Sequence, residues 1–301
     1  MSVLARPTAA ALAAKAFQGA VLLSRRVGVL RPHRRFPDYP ADTFTLTVPT
    51  SVAPARITVY RPAKYEGPPP VHVNFHGGGY VLPLTELDDP LCRYLAAQAE
   101  IVIVNVDYVL APQHRSPSAA IQAYEVVRWV AEHGAEHGWD ADRLSVGGQS
   151  AGGGVAAAVA RQALEQGGPR IALQILHYPY LDLTTGRADE HSDAAKPILP
   201  PWMLEVFENA CAPDPETRAD RLLSPAGPAD TADLTGIAPA LMITAEYDIL
   251  RAQGVRYAER LRAADALVEH IDLAGVDHGY DVHNDDKALE AYAVIAQHLT
   301  P

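Results

Sequence analysis

Apolar and amphipathic segments alternate along most of the chain. Eight short runs rich in β-branched and aromatic residues have the length of strands, at residues 44–48, 56–60, 71–75, 101–106, 144–147, 171–177, 241–245 and 268–273. From the third run onward, helical patterns lie between them at residues 90–99, 118–133, 153–166 and 251–264, and another at 287–299 closes the chain. Near-continuous apolar strands separated by amphipathic helices predict a mostly parallel sheet with helices on both faces.

The first two runs should pair differently from the rest. They are separated only by a short segment that contains Pro49 and Pro54. A connection this short favours antiparallel pairing of the first two strands. The predicted fold class is therefore α/β, with an eight-stranded, mostly parallel sheet.

Two stretches depart from the alternation of strand and helix. Residues 1–43 precede every predicted strand, and residues 186–223 form an insertion between the sixth and seventh runs, interrupted by Pro197, Pro200, Pro201, Pro213 and Pro215. Ligand sites in open α/β sheets lie beyond the carboxyl ends of the strands, where insertions can cover them. We therefore expect one catalytic domain at residues 44–301, covered by a helical cap built from residues 1–43 and about 186–223.

The composition is that of an ordinary globular protein, with 48% hydrophobic and 20% charged residues among 301. A formal net charge of −11 argues against nucleic-acid binding. Residues 1–36 nevertheless contain no acidic residue and seven basic ones, namely Arg6, Lys15, Arg25, Arg26, Arg31, Arg34 and Arg35. We interpret this segment as an amphipathic helix packed on an acidic body, with association with anionic lipid as the alternative.

Membrane insertion and disulfides are not expected. The apolar stretch at residues 9–23 is interrupted by Lys15 and Gln18 and is shorter than the ~20 apolar residues that a spanning helix needs. No signal-peptidase site follows it cleanly, so a cytoplasmic protein is favoured. Cys92 and Cys211 cannot form a disulfide framework and lack metal-ligand spacing.

A glycine-rich segment surrounds one serine. Residues 146–155 read VGGQSAGGGV, so that five glycines flank Ser150 between a predicted strand and a predicted helix. This is the context of the G-x-S-x-G nucleophile elbow, a sharp turn that exposes a serine above the sheet. Glycines two before and two after the serine would remove Cβ atoms that collide with neighbouring elements, and Gly153 and Gly154 would let the helix begin close to the sheet. A glycine-rich turn with a serine cap is the structural alternative.

A dinucleotide-binding fingerprint is the other alternative for this segment. Gly152, Gly154 and Ala157 satisfy G-x-G-x-x-A after a strand. That motif expects an acidic residue at the end of the next strand. The next strand, residues 171–180, reads IALQILHYPY and contains none, so no nucleotide cofactor is expected.

An elbow serine needs a base and a group that orients the base. In an α/β hydrolase these follow the serine in the order acid, histidine, on loops after later strands. Asp248 follows the seventh predicted strand and His278 the eighth, while Glu246 and His283 are their nearest competitors. The run DHGYDVHNDD at residues 277–286 also suggests a metal cluster, but it matches neither zinc-protease nor calcium-loop spacing, so no metal is expected.

Glycines recur after the third predicted strand, where the chain reads FHGGGY. A glycine run there can turn several amides toward one point, which is how lipases and esterases stabilise an oxyanion. The loop must face the elbow, and the amide of Ala151 would complete the set of donors.

The sequence resembles the hormone-sensitive-lipase-like (bacterial family IV) carboxylesterases of the α/β-hydrolase fold. The matching segments read HGGGY, VDYVLAP, GQSAGG, YPYLDL, ITAEYDILRAQG and DHGY, from about residue 71 to the C terminus. The resemblance implies a two-part helical cap and assigns the nucleophile, its two partners and the oxyanion-hole amides to Ser150, Asp248, His278, Gly78, Gly79 and Ala151.

The chain departs from the family at two places. Gln149 stands where the family usually has Asp, and residues 248–253 read DILRAQ where it usually has DPLRDE. Neither change removes a catalytic group. Both bear on the hydrogen bonding around the elbow and the acid loop.

The expected function is that of a cofactor-free serine carboxylesterase, which hydrolyses small, short-to-medium acyl esters through an acyl-enzyme. An amidase, lactonase or deacetylase using the same groups is an alternative, as is a catalytically silent ligand-binding member. The expected partner is a small-molecule ester, without nucleic acid or stable membrane insertion, and a homodimer is left open. In the cap, Trp202, Met203 and Phe207 could line an acyl pocket, although their helical spacing favours ordinary packing.

Overall fold

One eight-stranded sheet forms the centre of the molecule in the computed structural model, which describes residues 2–29, 32–185, 192 and 194–300. The strands are β1 (Asp42–Val48), β2 (Ala55–Arg61), β3 (Pro70–Phe75), β4 (Val102–Asp107), β5 (Asp140–Gln149), β6 (Leu173–His177), β7 (Ala240–Ala245) and β8 (Leu267–Leu273). Their order across the sheet is β1-β2-β4-β3-β5-β6-β7-β8. The predicted α/β class with eight strands is confirmed.

The sheet is parallel except at its beginning. β2 runs antiparallel to both β1 and β4, as the short first connection predicts, and all other neighbours are parallel. The central strands β6 and β7 are buried along their whole length because helices cover both faces. Parallel pairing brings the carboxyl ends of β3 to β8 to one edge of the sheet, and the loops leaving that edge carry every site residue expected from the sequence.

Helices occupy the gaps between strands. Within the described residues they are α1 (Pro7–Arg26), α2 (Asp89–Gln98), α3 (Ser118–His133), α4 (Ala151–Gln166), α5 (Pro201–Cys211), α6 (Pro215–Arg218), α7 (Arg251–Ala263), α8 (Tyr280–His283) and α9 (Asp285–Leu299). The predicted start of α4 at residue 153 is wrong by two residues. The turn is completed at Ser150 itself, whose backbone has φ 53° and ψ −120°, so the helix begins at the next residue and the glycines lie in its first turn.

The N-terminal helix and the insertion lie side by side. α1 packs against α5, and the rings of Phe17 and Trp202 meet edge to face with centroids 6.1 Å apart. Of the insertion expected at about 186–223, residues 186–191 and 193 lie outside the described residues. Across the part of the chain that the structure describes, no helix combines the length and apolar character that crossing a membrane requires.

Among the described residues, basic side chains of the N-terminal segment form ion pairs with acidic side chains of the catalytic body. Arg25 forms an ion pair with Glu86, and Arg35 forms one with Asp285 at 2.5 Å. The inner face of α1 buries Ala10, Ala14 and Gln18, whereas the outer face exposes Leu12, Leu22 and Leu23. The outer face is therefore partly apolar rather than uniformly polar, and association with lipid stays a prediction.

Candidate active site

The turn between β5 and α4 holds Ser150 in a backbone conformation that non-glycine residues rarely adopt. Hydrogen bonds fix the turn, because the Ser150 amide donates to His177 O at 3.0 Å and its carbonyl accepts from the Tyr180 amide at 2.9 Å. A Cβ on Gly148 or on Gly152 would run into the carbonyl oxygen of Phe75 at the end of β3. The glycines are therefore required by the close approach of β3, β5 and α4, as the elbow motif predicts.

Ser150, His278 and Asp248 lie in one line of hydrogen bonds. The Ser150 Oγ is 2.9 Å from His278 Nε2, and His278 Nδ1 is 2.8 Å from Asp248 Oδ2. The other carboxylate oxygen of Asp248 accepts the Leu250 amide at 2.8 Å. All three side chains are at least nine-tenths buried. The residues expected from strand order thus come together, although 128 residues separate the serine from the histidine.

The two competing residues lie elsewhere. Glu246 accepts a hydrogen bond from the Gly275 amide at 2.7 Å and so closes the loop after β8. His283 is exposed at the end of α8. Gly152 and Gly154, the core of the dinucleotide fingerprint, lie inside α4, where a Cβ would collide with Phe75 and Tyr80. Among the described residues no three histidine, cysteine or carboxylate side chains are grouped as metal ligands.

The environment of His278 changes its proton affinity. Burial alone favours the neutral imidazole and lowers its pKa, but the charge and hydrogen bond of Asp248 act in the opposite direction, helped by Asp277 and Asp281. The net result is a pKa of His278 above the ordinary histidine value. The ring also meets Tyr178 edge to face, with centroids 5.0 Å apart.

Three backbone amides near the serine have no acceptor within the described chain. Gly78 and Gly79 have φ values of 116° and 62°, which are open to glycine and turn the loop after β3 back on itself. Neither amide donates a hydrogen bond to a described residue, and the same holds for Ala151, the first residue of α4. Gly77, Gly78, Gly79 and Ser150 line the same cavity. These amides are the donors that the sequence predicts for an oxyanion.

The glycine loop is supported by groups to which the sequence analysis assigned no role. Tyr108 donates to His76 O at 2.7 Å, and its ring stacks on the imidazole of His76 at 4.4 Å. Burial lowers the pKa of His76 to about 4, so this ring stays neutral. From α1, the buried amide of Gln18 donates to Val81 O at 2.8 Å and to Ala111 O at 2.9 Å. The N-terminal helix is therefore hydrogen-bonded to the segment that follows the glycine loop.

A cavity of about 180 Å³ opens above Ser150. Its apolar wall combines residues of the loop after β3 with residues of the insertion, namely Leu82, Leu84, Leu87, Ile198, Leu199, Met203 and Phe207. A Cβ on Gly79 would collide with the ring of Phe207, which shows how closely α5 covers the glycine loop. Met203 and Phe207 line the pocket and also pack in the hydrophobic core, whereas Trp202 is 47% exposed and does not line the pocket.

Two buried carboxyl groups also line this cavity, and sequence reasoning missed both. Asp88 accepts a hydrogen bond from Asn74 Nδ2 at 2.7 Å, and burial raises the pKa of Asp88 to about 8. Asp281 accepts from the hydroxyls of Tyr178 and Tyr292. Asp88 lies beside a predicted helix start and Asp281 lies in a predicted loop, and both positions suggest solvated charges, so the sequence contains no signal that would have identified them.

The two departures from the family pattern differ in their hydrogen bonding. The Gln149 side chain is buried at the cavity wall near Asp88, and its Oε1 has no hydrogen-bond partner among the described residues. Gln253 Oε1 accepts the amides of Leu181 at 2.6 Å and Asp182 at 2.7 Å, which fixes α7 to the segment after β6. The acid loop therefore keeps its support through an amide side chain.

Comparison with known proteins identifies the family. A model of the alpha/beta hydrolase fold family matches residues 72–282. The chain is similar to the esterase LipI of Mycobacterium tuberculosis, with 39% identity over 213 residues that make up 70% of this chain and 65% of the relative. It is also similar to the carboxylesterase NlhH of that organism, with 38% identity over 226 residues, 74% of this chain and 70% of the relative. The matched segment thus spans about two thirds of these relatives.

Among solved structures, the chain is similar to EstE1, a thermophilic and thermostable carboxylesterase cloned from a metagenomic library. The TM-score is 0.84 at 31% sequence identity, with 100% of this chain and 98% of EstE1 covered. The chain belongs to the alpha/beta hydrolase fold family, and its resemblance to the hormone-sensitive-lipase-like (bacterial family IV) branch is confirmed.

Proposed function

We propose that this chain is a carboxylic ester hydrolase, a serine esterase that cleaves small, short-to-medium acyl esters through an acyl-enzyme. The observation that carries the proposal is the continuous pair of hydrogen bonds from Ser150 Oγ through His278 to Asp248, at the floor of an apolar cavity. The names of its relatives, esterase and carboxylesterase, support the same reaction.

In the proposed acylation step, Ser150 Oγ attacks the ester carbonyl while its proton moves to His278 Nε2. The new bond leaves a negative charge on the carbonyl oxygen, and the amides of Gly78, Gly79 and Ala151 donate hydrogen bonds to it. Asp248 accepts from Nδ1 and so stabilises the imidazolium. His278 then returns the proton to the alcohol oxygen as the ester C–O bond breaks, which leaves the acyl group on Ser150.

Deacylation repeats these roles with water. His278 takes a proton from a water molecule as the water oxygen attacks the acyl carbon, and the same amides stabilise the second tetrahedral intermediate. The proton then passes to Ser150 Oγ as the acyl bond breaks, which releases the carboxylic acid. No cofactor is needed in either step.

Pocket size supports the proposed acyl-length range. The cavity of about 180 Å³ is smaller than the roughly 300–1,000 Å³ of pockets that enclose drug-sized ligands. Its apolar wall favours an alkyl chain, while the contact between Phe207 and Gly79 limits the length. We further propose that α1 and α5 act together as the cap of a catalytic domain at residues 44–301.

A series of nitrophenyl esters, from acetate to laurate, tests the proposal. The wild-type protein should hydrolyse acetate, butyrate and hexanoate efficiently and laurate slowly. Ser150→Ala should lower kcat on the order of 10⁴- to 10⁶-fold, because an alanine cannot form the acyl-enzyme. His278→Ala should have an effect of similar size, whereas the matched variant His283→Ala should keep wild-type activity because that residue is exposed and does not line the cavity.

Correct folding of each variant is checked by its thermal unfolding midpoint. Equal turnover by the wild type and Ser150→Ala would exclude the mechanism. If His283→Ala lost activity and His278→Ala kept it, the assignment of His278 as the base would be wrong.

A further inference from the structure

Tyr178, directly after β6, has an unusual backbone conformation. Its backbone has φ 36°, in the left-handed region that side chains other than glycine rarely occupy, and its amide donates to Ile243 O at 2.7 Å. The side chain is buried, and its ring meets the imidazole of His278 edge to face at 5.0 Å. Strained backbone that persists beside an active site is commonly maintained because it fixes a functional group.

The hydroxyl of Tyr178 is fixed as well. It donates to Asp281 Oδ1 at 2.5 Å, and the Tyr292 hydroxyl donates to Asp281 Oδ2 at 3.0 Å. Asp281 is 1% exposed and lies on α8, two residues after the glycine that follows His278. Burial, with the nearby Asp281, raises the pKa of Tyr178 well above the ordinary tyrosine value, so the hydroxyl remains a donor.

We propose that Tyr178 and Asp281 are positioning residues for His278, a second support beside Asp248. Tyr178 holds the imidazole plane against Ser150 through the ring contact, and Asp281 locks Tyr178 in place and contributes a buried negative charge close to the imidazole. This inference rests on the proposed esterase function, in which His278 is the base. Neither residue touches the reacting atoms.

Two carboxylates that are not bonded to the ring, Asp277 and then Asp281, raise the pKa of His278, and of these two Asp281 is the one that accepts from Tyr178. Asp248, after β7, binds Nδ1, and Asp277 precedes His278 on the same loop and accepts the Ile198 amide. On β6, burial lowers the pKa of His177 to about 4, so that ring is neutral near pH 7. Next to the glycine loop, burial raises the pKa of Asp88 to about 8, which keeps most of that carboxyl protonated at neutral pH.

Asp281→Asn is the central test because it keeps the shape of the side chain and one oxygen to accept from Tyr178, while removing the charge. The Tyr292 hydroxyl then accepts from the new amide NH2 instead of donating. The acid limb of kcat/KM should move to lower pH, since a negative charge near an imidazole raises its pKa. Activity on the plateau above this limb should fall less than it does in Tyr178→Phe, since Asn can still accept from the Tyr178 hydroxyl. The control Asp286→Asn removes an exposed charge on the neighbouring helix and should leave the limb unchanged.

Tyr178→Phe tests the locking contact. It keeps the ring but removes the hydroxyl, so the ring loses its link to Asp281. We expect kcat to fall about five- to tenfold, with KM for nitrophenyl acetate changed less than twofold. If the two residues act as one unit, the double variant should lose less than the product of the single effects.

The pKa of the His278 imidazole, measured by NMR and assigned with His278→Asn, gives a readout that does not depend on turnover. A lower pKa in Asp281→Asn, with Asp286→Asn unchanged, supports the inference. An unchanged pKa together with an unchanged acid limb overturns it. If the wild-type protein hydrolyses no ester, the proposed function fails, and the NMR titration still decides whether Asp281 acts on His278.

Discussion

The elbow at Ser150 and the α1–α5 pair above the cavity are built from different kinds of contact. At the elbow, backbone meets backbone, because a Cβ on Gly148 or Gly152 would collide with the Phe75 carbonyl. Between α1 and α5, side chains meet side chains, as in the ring contact of Phe17 with Trp202. Backbone contacts tolerate almost no substitution, whereas side-chain contacts can repack. We therefore expect the proposed chemistry to depend on the rigid region and substrate preference to depend on the adaptable one.

The largest expected effect is a loss of catalytic rate when the acid beside the rigid region is changed. Asp248→Asn keeps the size of the side chain but can no longer stabilise an imidazolium, so kcat should fall on the order of 10²- to 10⁴-fold. Glu246→Gln is the matched control, since Glu246 contacts the Gly275 amide and not His278. Steady-state kinetics on nitrophenyl butyrate measure both. A larger loss in Glu246→Gln would show that the acid has been assigned to the wrong residue.

A single added methyl group should change the free energy of unfolding in opposite directions in the two regions. Gly152→Ala forces the backbone of β3 or α4 to move and should lower the free energy of unfolding by about 3 kcal/mol or more. Gly19→Ala, in the middle of α1, has nothing within 4 Å of the added Cβ and should raise that free energy by about 0.5–1 kcal/mol.

Urea unfolding of the two variants gives both values. Equal effects at the two positions would remove the contrast between the regions. If Gly152→Ala were as stable as the wild type, the close approach of β3 to the elbow would be incorrect.

Phe207→Ala should change preference rather than chemistry. Removing the ring that covers Gly79 enlarges the cavity, so kcat/KM for octanoate and laurate esters should rise about three- to tenfold relative to acetate. Trp202→Ala is the control on the same helix, because this side chain contacts Phe17 and does not line the cavity. An unchanged chain-length profile in Phe207→Ala would show that the cap does not limit the acyl chain.

The smallest effect concerns pH. Only the neutral imidazole can take the serine proton, and the net pKa of His278 lies above the ordinary histidine value of 6.5. As pH falls through that raised pKa, His278 becomes protonated and kcat/KM is lost, so the acid limb should lie above pH ~6.5. A pH-stat assay with ethyl butyrate avoids the ionisation of nitrophenol. A limb at or below pH ~6.5 would contradict the raised pKa.

The sequence predicts the rigid region better than the adaptable one, for a physical reason. Buried parallel strands must be almost continuously apolar, and an elbow requires glycines at fixed distances from its serine, so both leave local patterns. The start of α4 is misplaced because glycines suggest a loop, although the turn ends at Ser150. Met203 and Phe207 face the cavity because of how α5 packs on α1, which no local pattern encodes.

Asp88 and Asp281 illustrate the same limit at the site itself. Each accepts a hydrogen bond from a side chain that lies earlier in the sequence, Asn74 for Asp88 and Tyr178, 103 residues away, for Asp281. An aspartate in a loop ordinarily suggests a solvated charge. Only the assembled fold reveals that both carboxyl groups line the cavity.

The central claim is that the Ser150 hydroxyl forms the acyl-enzyme. Rapid quenching of the wild-type protein with nitrophenyl acetate, followed by peptide mass spectrometry, tests it most directly. We predict one acetyl group on the peptide that contains Ser150, and none on that peptide in Ser150→Ala or, at the same quench time, in His278→Ala. Acetyl groups on a different residue, or full turnover by Ser150→Ala, would contradict the account.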